Sequence, residues 1–165
     1  MTKKLSIFVI TIFCTFAIFS KTSFATFDTT NTQITIENLA NGDYYETIIE
    51  TNDETSNEAT PLATTKYITK TKTTYYKNSS GAVLWSVSIK ATFSYNGSTS
   101  KCTSCSHSTT APGELWSISS SSSSKTGNSA TATATATAVY KPLSGSSQTF
   151  TKSVTIQCSA AGVVS

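Results

Sequence analysis

Residues 84–97, LWSVSIKATFSYNG, alternate without a break. Trp85, Val87, Ile89, Ala91, Phe93 and Tyr95 stand at odd positions, and Ser86, Ser88, Lys90, Thr92 and Ser94 at even ones. Successive side chains of a β-strand point to opposite faces, so a period of two specifies a strand with one apolar and one polar face. The apolar face needs a second layer to cover it. Similar runs recur as QITIEN (33–38), DYYETIIE (43–50), TKYITKTKTTYYK (65–77), residues 99–109, LWSISSSSSSK (115–125), SATATATATAVY (129–140) and QTFTKSVTIQC (148–158). Glycine, asparagine and proline punctuate them, and Asn41-Gly42 reads as a two-residue hairpin turn. No stretch has a helical period. The expectation is an all-β, antiparallel β-sandwich, immunoglobulin-like, of about seven to eight strands, with a closed barrel as the alternative.

The run 129–140 is the strictest of these. Alanine holds the even positions from Ala130 to Ala138 and threonine the odd ones from Thr131 to Thr137. Low complexity usually signals disorder, but here it predicts a strand with methyl groups on one face. Small alanines leave room for large neighbours, and Trp85 and Trp116 are the candidates to lie over them. A two-residue slip keeps every residue on its face, so the pattern leaves the register open. Val139, Tyr140 and the next strand are the expected pins.

The N-terminus carries Lys3 and Lys4, an apolar run over 5–19 and a small-x-small site at Ser23-Phe24-Ala25. This is the pattern of a secretory signal peptide cleaved after Ala25. The run is shorter than the ~20 residues that span a bilayer. Lipidation at Cys14 is disfavoured by the bulky Phe13 before it. The expected organisation is a signal peptide (1–25), an acidic hairpin and linker (26–60) and a β-sandwich domain (61–165). The expected location is secreted and extracellular, with no membrane association of the mature form. No LPxTG motif or apolar tail supports covalent wall anchoring.

Without residues 1–25 the chain has nine lysines, nine acids and no arginine, so it is neutral. The acids crowd the N-terminal part: residues 26–60 hold eight of them and no lysine, and residues 61–165 hold every one of the nine lysines and only Glu114. An acidic hairpin against a basic sandwich is one reading of this asymmetry, and a basic face for an anionic polymer is another. Arginine is the preferred planar donor for phosphate, so its absence argues against nucleic-acid binding.

Chemistry-bearing residues are few. Cys102 and Cys158 fall in different strands, and Cys158 shares the apolar phase of Val154 and Ile156. Export permits a disulfide between them, worth ~4 kcal/mol on the chain-entropy model. Cys105, three residues on, faces the other way if the strand is regular, and is left as a free thiol or an intermolecular bridge. Cys102, Cys105, His107 and Cys158 have the elements of a Cys3His metal set, but a straight strand diverges such ligands. A redox CxxC usually opens a helix, and this sequence has none after it. A Ser-His-acid triad would need His107 and Glu114, and no GxSxG elbow is present to serve them. Neither catalysis, a cofactor nor a metal is expected. Tyr44, Tyr45, Tyr75 and Tyr76 come as adjacent pairs. One of each pair should face out, and together they make a possible binding surface for an extracellular glycan or a protein.

ENLANGDYYETIIE, TKTTYYKNSSGAVLWSVSIKATFSYNGSTSKC and SSKTGNSATATATA together resemble a family of small secreted, functionally uncharacterised proteins of Gram-positive bacteria. The likeness covers most of the mature chain. It implies bacterial export and a module of similar length, and it brings no activity or site residues. In that pattern Cys102 and Cys158 have counterparts and Cys105 is a departure. The function expected is an exported, non-enzymatic binding or structural module. The alternative is a secreted antagonist, toxin-like or inhibitory, whose acidic arm masks a basic sandwich. Export is checked by mass spectrometry of the released protein: its first residue should be Thr26, and an intact Met1 on a cell-bound chain would overturn the signal-peptide reading.

Overall fold

The structure, a computed structural model, describes residues 28–29, 32–51, 65–126 and 129–165. The expected signal peptide and cleavage site, and nearly all of the expected linker, lie outside the described residues. The rest is β-structure: β1 (Asp28–Thr29), β2 (Thr32–Asn38), β3 (Tyr44–Thr51), β4 (Lys66–Lys77), β5 (Val83–Tyr95), β6 (Ser100–Thr110), β7 (Trp116–Lys125), β8 (Thr131–Tyr140) and β9 (Gln148–Gln157). β1 has only two residues, and the other eight have seven to thirteen. They form two antiparallel sheets, in the orders β1-β2-β3-β4-β5-β6 and β7-β8-β9. The molecule is a two-layer sandwich and not a closed barrel. The immunoglobulin likeness stops at those layers. Immunoglobulin sheets are interleaved by Greek-key connections, whereas both sheets here are meanders and only the β6–β7 link changes sheet.

The hairpin β2–β3 is part of the larger sheet. β3 pairs with β4 along its length, from Tyr44 opposite Lys77 to Thr51 opposite Lys70. Its turn differs from the two-residue one expected at Asn41-Gly42. The Gly42 amide donates to Leu39 O (3.1 Å) and the Leu39 amide to Asp43 O (2.8 Å). The same two bonds recur at Asn78–Gly81–Ala82 and at Ser159–Gly162–Val163. Gly42, Gly81 and Gly162 sit at φ 85°, 86° and 85°. Each closes a longer loop in which glycine supplies the left-handed residue, a conformation that costs any side chain.

The core lies where β5 crosses β8. Val87, Ile89, Ala91 and Phe93 on one side and Ala132, Ala134, Ala136 and Ala138 on the other are at most 1 % exposed. Bulky residues of one sheet therefore meet bare methyls of the other, and neither side alone would fill the gap at native density. Trp85 belongs to this buried cluster, and Trp116 packs at its margin. On the outer face of β8 the threonines pair across to β9: Thr133 with Thr155 (2.9 Å), Thr135 with Ser153 (2.8 Å) and Thr137 with Thr151 (3.1 Å). The repeat is pinned at its ends, where Tyr140 lies opposite both Trp116 and Gln148, and Ala132 opposite Ile156.

Three β-bulges break the alternation. Leu84, Thr103 and Ser119 are extra residues with no partner across their ladders. Each reverses the phase of the later residues in its strand. Past Ser119 the inward positions of β7 become Ser121, Ser123 and Lys125, opposite Ala136, Ala134 and Ala132.

The one-sidedness of β8 gives a direct test. Ala134→Leu adds bulk at a fully buried position and should destabilise by ~1–3 kcal/mol. Thr135→Leu, on the outer face, should change stability by no more than about 0.5 kcal/mol. Denaturant melts of the two variants decide it, and equal midpoints would mean that β8 is not one-sided.

Candidate binding surface

The register splits the tyrosine pairs. Tyr45 lies opposite Tyr76, and Tyr76 opposite Trp85, so these three share the inner face. Tyr45 and Tyr76 are buried, while Tyr44 and Tyr75 are half-buried on the outer face. Beside them Lys77 Nζ pairs with Glu46 at 2.6 Å and stands 5.7 Å from the Tyr75 ring centre. Of the four tyrosines singled out in the sequence, only the outer two keep appreciable surface.

The inner tyrosines are fixed by acids of the β2–β3 hairpin. Tyr76 Oη donates to Asp43 Oδ2 at 2.5 Å, and Asn41 Nδ2 donates to the same oxygen at 2.8 Å. Burial, then the bond to Asp43, pushes the Tyr76 hydroxyl up to about 12. Tyr45 is raised too, by burial and then by the charge of Glu37. Lys152 of β9 reaches across to the larger sheet. Its Nζ lies 2.7 Å from Glu37 Oε2 and 4.0 Å from the Tyr45 ring centre. This joins a charge pair to a cation–π contact at the open side of the sandwich.

From these tyrosines a chain of rings runs to the end of the molecule. Tyr76 lies 5.4 Å from Trp116 and 5.6 Å from Phe150, centre to centre. Trp116 lies 5.1 Å from Phe150 and 5.3 Å from Tyr140. All of these are tilted packings of the kind aromatic quadrupoles favour. Trp85 completes the group from beneath, edge to face with Tyr45 at 6.4 Å. Its indole N–H is buried with no oxygen or nitrogen partner, in surroundings of aromatic rings. Trp116, Tyr140 and Phe150 are half-buried, each keeping part of its ring in water.

The loop before Trp116 is tight. The Gly113 amide donates to Leu84 O (3.0 Å), the Trp116 amide to Gly113 O (3.1 Å) and the Lys141 amide to Leu115 O (2.8 Å). A Cβ on Gly113 would stand 2.8 Å from Trp116 Cδ1 and 2.9 Å from the Leu84 carbonyl oxygen, so no larger residue fits. Leu115 sits at φ 69°, the only positive φ among the described non-glycine residues. Such a backbone costs a leucine on the order of 1–2 kcal/mol and persists only when its surroundings dictate it. Here those bonds hold the loop against β5 and β8, and they set Trp116 beside an exposed Leu115. Leu143, past β8, is 93 % exposed. Sequence reading missed Trp116, Tyr140 and Phe150 as a surface group. The available signal was their inward phase at strand ends.

The cysteines depart from expectation in two ways. Cys102 and Cys158 are both buried free thiols, with no disulfide between them. The Cys102 amide donates to Ser129 O and the Cys158 amide to Ala130 O, consecutive carbonyls of one segment. Each thiol instead donates to a nearby carbonyl, Cys102 Sγ to Ser104 O (3.3 Å) and Cys158 Sγ to Ser159 O (3.4 Å). Burial pushes both thiols up. Cys105, also free, does not face away from Cys102. The extra residue Thr103 restores its phase, so that Cys102 lies opposite Phe93 and Cys105 opposite Ala91, both on the inner face.

His107 is on the inner face as well, opposite Ile89. Its ring bridges to β7: Nδ1 meets Ser123 Oγ at 2.9 Å and Nε2 meets Ser121 Oγ at 3.2 Å. Both nitrogens are occupied by hydroxyls, and the bridge closes the β6–β7 side of the sandwich. Lys125 does the same lower down, donating to Thr103 O (2.5 Å) and Cys102 O (3.4 Å). Among the described residues no three histidine, cysteine or acidic side chains are placed to hold a metal ion.

No protein-family model, no curated protein and no solved structure matches the chain.

The Tyr76–Asp43 bond should be visible in alkali. Folded Tyr76 keeps its proton to about 12, against 10.0 for an unperturbed tyrosine. Between those pH values the unfolded chain releases a proton that the folded chain retains, so stability falls as pH rises. Tyr76→Phe removes that proton and should lose less stability over the same window. At neutral pH it should be weaker by about 1.5 kcal/mol for the lost bond to a carboxylate. Melts of both proteins from neutral pH to 12 test this, and parallel declines would refute it.

Proposed function

We propose that the protein is an exported, non-enzymatic β-sandwich binding module. Its ligand surface is the aromatic end built from Trp116, Tyr140 and Phe150, and its ligand is a neutral extracellular glycan. The observation that carries this reading is the half-exposed group of three rings behind a strained loop. Ring faces carry partial negative charge and receive the weakly positive C–H faces of a pyranose, burying apolar area without requiring an ion pair. The end row, Trp116–Tyr140–Gln148, is uncharged. Export rests on the N-terminal lysines, apolar run and small-x-small site. The non-enzymatic reading rests on His107, whose two ring nitrogens both meet serine hydroxyls and have no carboxylate to set their tautomer.

The alternative is an antagonist whose acidic arm masks a basic sandwich, and it draws support from two ion pairs. Glu46 engages Lys77 and Glu37 engages Lys152. It ranks second because the arm is bonded into the sheet through the whole β3–β4 ladder. Releasing it would break that ladder and uncover β4.

A glycan and anionic-polymer array with the full chain tests the proposal. Neutral glycans should bind. Trp116→Ala and Tyr140→Ala should each lower affinity at least tenfold while a thermal melt shows that the variant is folded. Binding that responds only to polyanions and to salt, and survives both substitutions, would favour the masked-sandwich reading.

A further inference from the structure

We propose that the free edge of β9 receives an extended acidic peptide, which joins the three-stranded sheet as a further strand and sets its carboxylates against Lys72 and Lys66 of β4. The inference is independent of glycan binding.

The backbone of β9 supplies the edge. β9 is the last strand of the smaller sheet, with β8 on one side of it. The Cys158 amide donates to Ala130 O. In an antiparallel ladder the backbone groups of successive residues turn to alternate sides, so the even residues of β9 bond to β8 and the odd ones turn away. Gln157 shows what the odd residues accept: it exchanges both backbone bonds with Ser165, each at 3.0 Å. Thr149, Thr151, Ser153 and Thr155 follow in the same phase and have no such backbone partner among the described residues. An inward-pointing charge commonly guards a free edge. Lys152 holds that position, but Glu37 neutralises it and draws it across to the larger sheet.

The charge comes from the larger sheet. β9 lies over β5 and β4, and β3 and β2 extend beyond it. A strand added to β9 therefore passes over the inner face of β4 and β3. On that face β4 presents Lys66, opposite Tyr95, and Lys72, opposite Ile89, while Lys70 between them is already engaged. Lys72 is half-buried and has no ion-pair partner among the described residues, and burial pushes its amine down. Of the acids of β2 and β3 only Glu37 faces inward, and Lys152 holds it. The shelf beside β9 is thus basic, and a carboxylate over Lys72 offsets the cost of its desolvated charge. Period two sets the pattern of the partner: acids at alternate positions over the shelf, and the residues between them facing outward beside Thr151 and Ser153. Strand addition of this kind draws affinity from main-chain bonds and specificity from alternate side chains.

A fluorescein-labelled peptide of alternating threonine and glutamate, TETETETE, blocked at both ends, is titrated with the folded full chain. It should bind, and the matching TKTKTKTK peptide should bind at least tenfold more weakly. The threonines face outward, so theirs are the N–H groups that meet β9. N-methylation of the threonine nitrogens should lower affinity at least tenfold, and N-methylation of the glutamate nitrogens should leave it unchanged. Ser153→Pro removes an N–H that points to the edge and takes no part in the β8 ladder, a place where a strand tolerates proline. The variant should melt as a folded protein and bind at least tenfold more weakly, and the methylated pair reads the same contact on the unsubstituted protein. Equal binding of the two methylated peptides, equal binding of the two charge patterns, or no binding of TETETETE would each overturn the proposal.

Discussion

The fit of β5 onto β8 is the contact on which the rest of the molecule depends. Wide side chains on one sheet and bare methyls on the other place the layers at one separation. Every other inward residue works within that spacing. Where the alanine stripe ends, the inner face switches to rings, with Tyr140 continuing the phase of Ala138. The aromatic end is therefore the same strand read two residues further, where Tyr76 of the larger sheet packs against Trp116 and Phe150. The hydroxyl pairs on the outer face add little energy each. They do give the repeat a polar side that tolerates water without charge.

Much of this was legible from period two alone. The strands, the two-layer class and the inward phase of Trp85, Val87, Ile89 and Phe93 all arise from alternation. Three kinds of feature escaped it. Alternation does not specify which strands become neighbours, so a Greek key and a meander read alike along the chain. Asn41-Gly42 has the same letters in a two-residue turn and in the longer one found, because both need glycine at positive φ. Bulges are the third kind. Thr103 and Ser119 carry no distinguishing side chain, yet each flips the face of every later residue in its strand. The insertion at Thr103 misdirected Cys105. The tyrosine pairs were half legible: period two sends one of each outward, but only the sheet order shows that the inward two join Trp85 in the core.

Polar residues on the inner face mark where the layers separate. His107 with Ser121 and Ser123, and Lys125 with the bulge carbonyls, close one flank. Lys152 with Glu37 and Tyr45 spans the other. The centre of the β5–β8 contact is apolar, and these flank side chains carry their own partners. Such specific polar ties restrict how the two sheets can slide past each other, which an alanine stripe on its own permits.

The meander order has a consequence for how the molecule comes into being. Within each sheet every ladder joins strands adjacent in sequence, so closing each one loses only the entropy of a short or moderate loop. Local pairings of this kind assemble quickly compared with interleaved β-topologies. Long-range search is confined to one event, the docking of the three-stranded sheet onto the six-stranded one through the link before Trp116. The strained turn at Leu115 is that link, so the segment that shapes the aromatic end is also the hinge about which the two halves must meet.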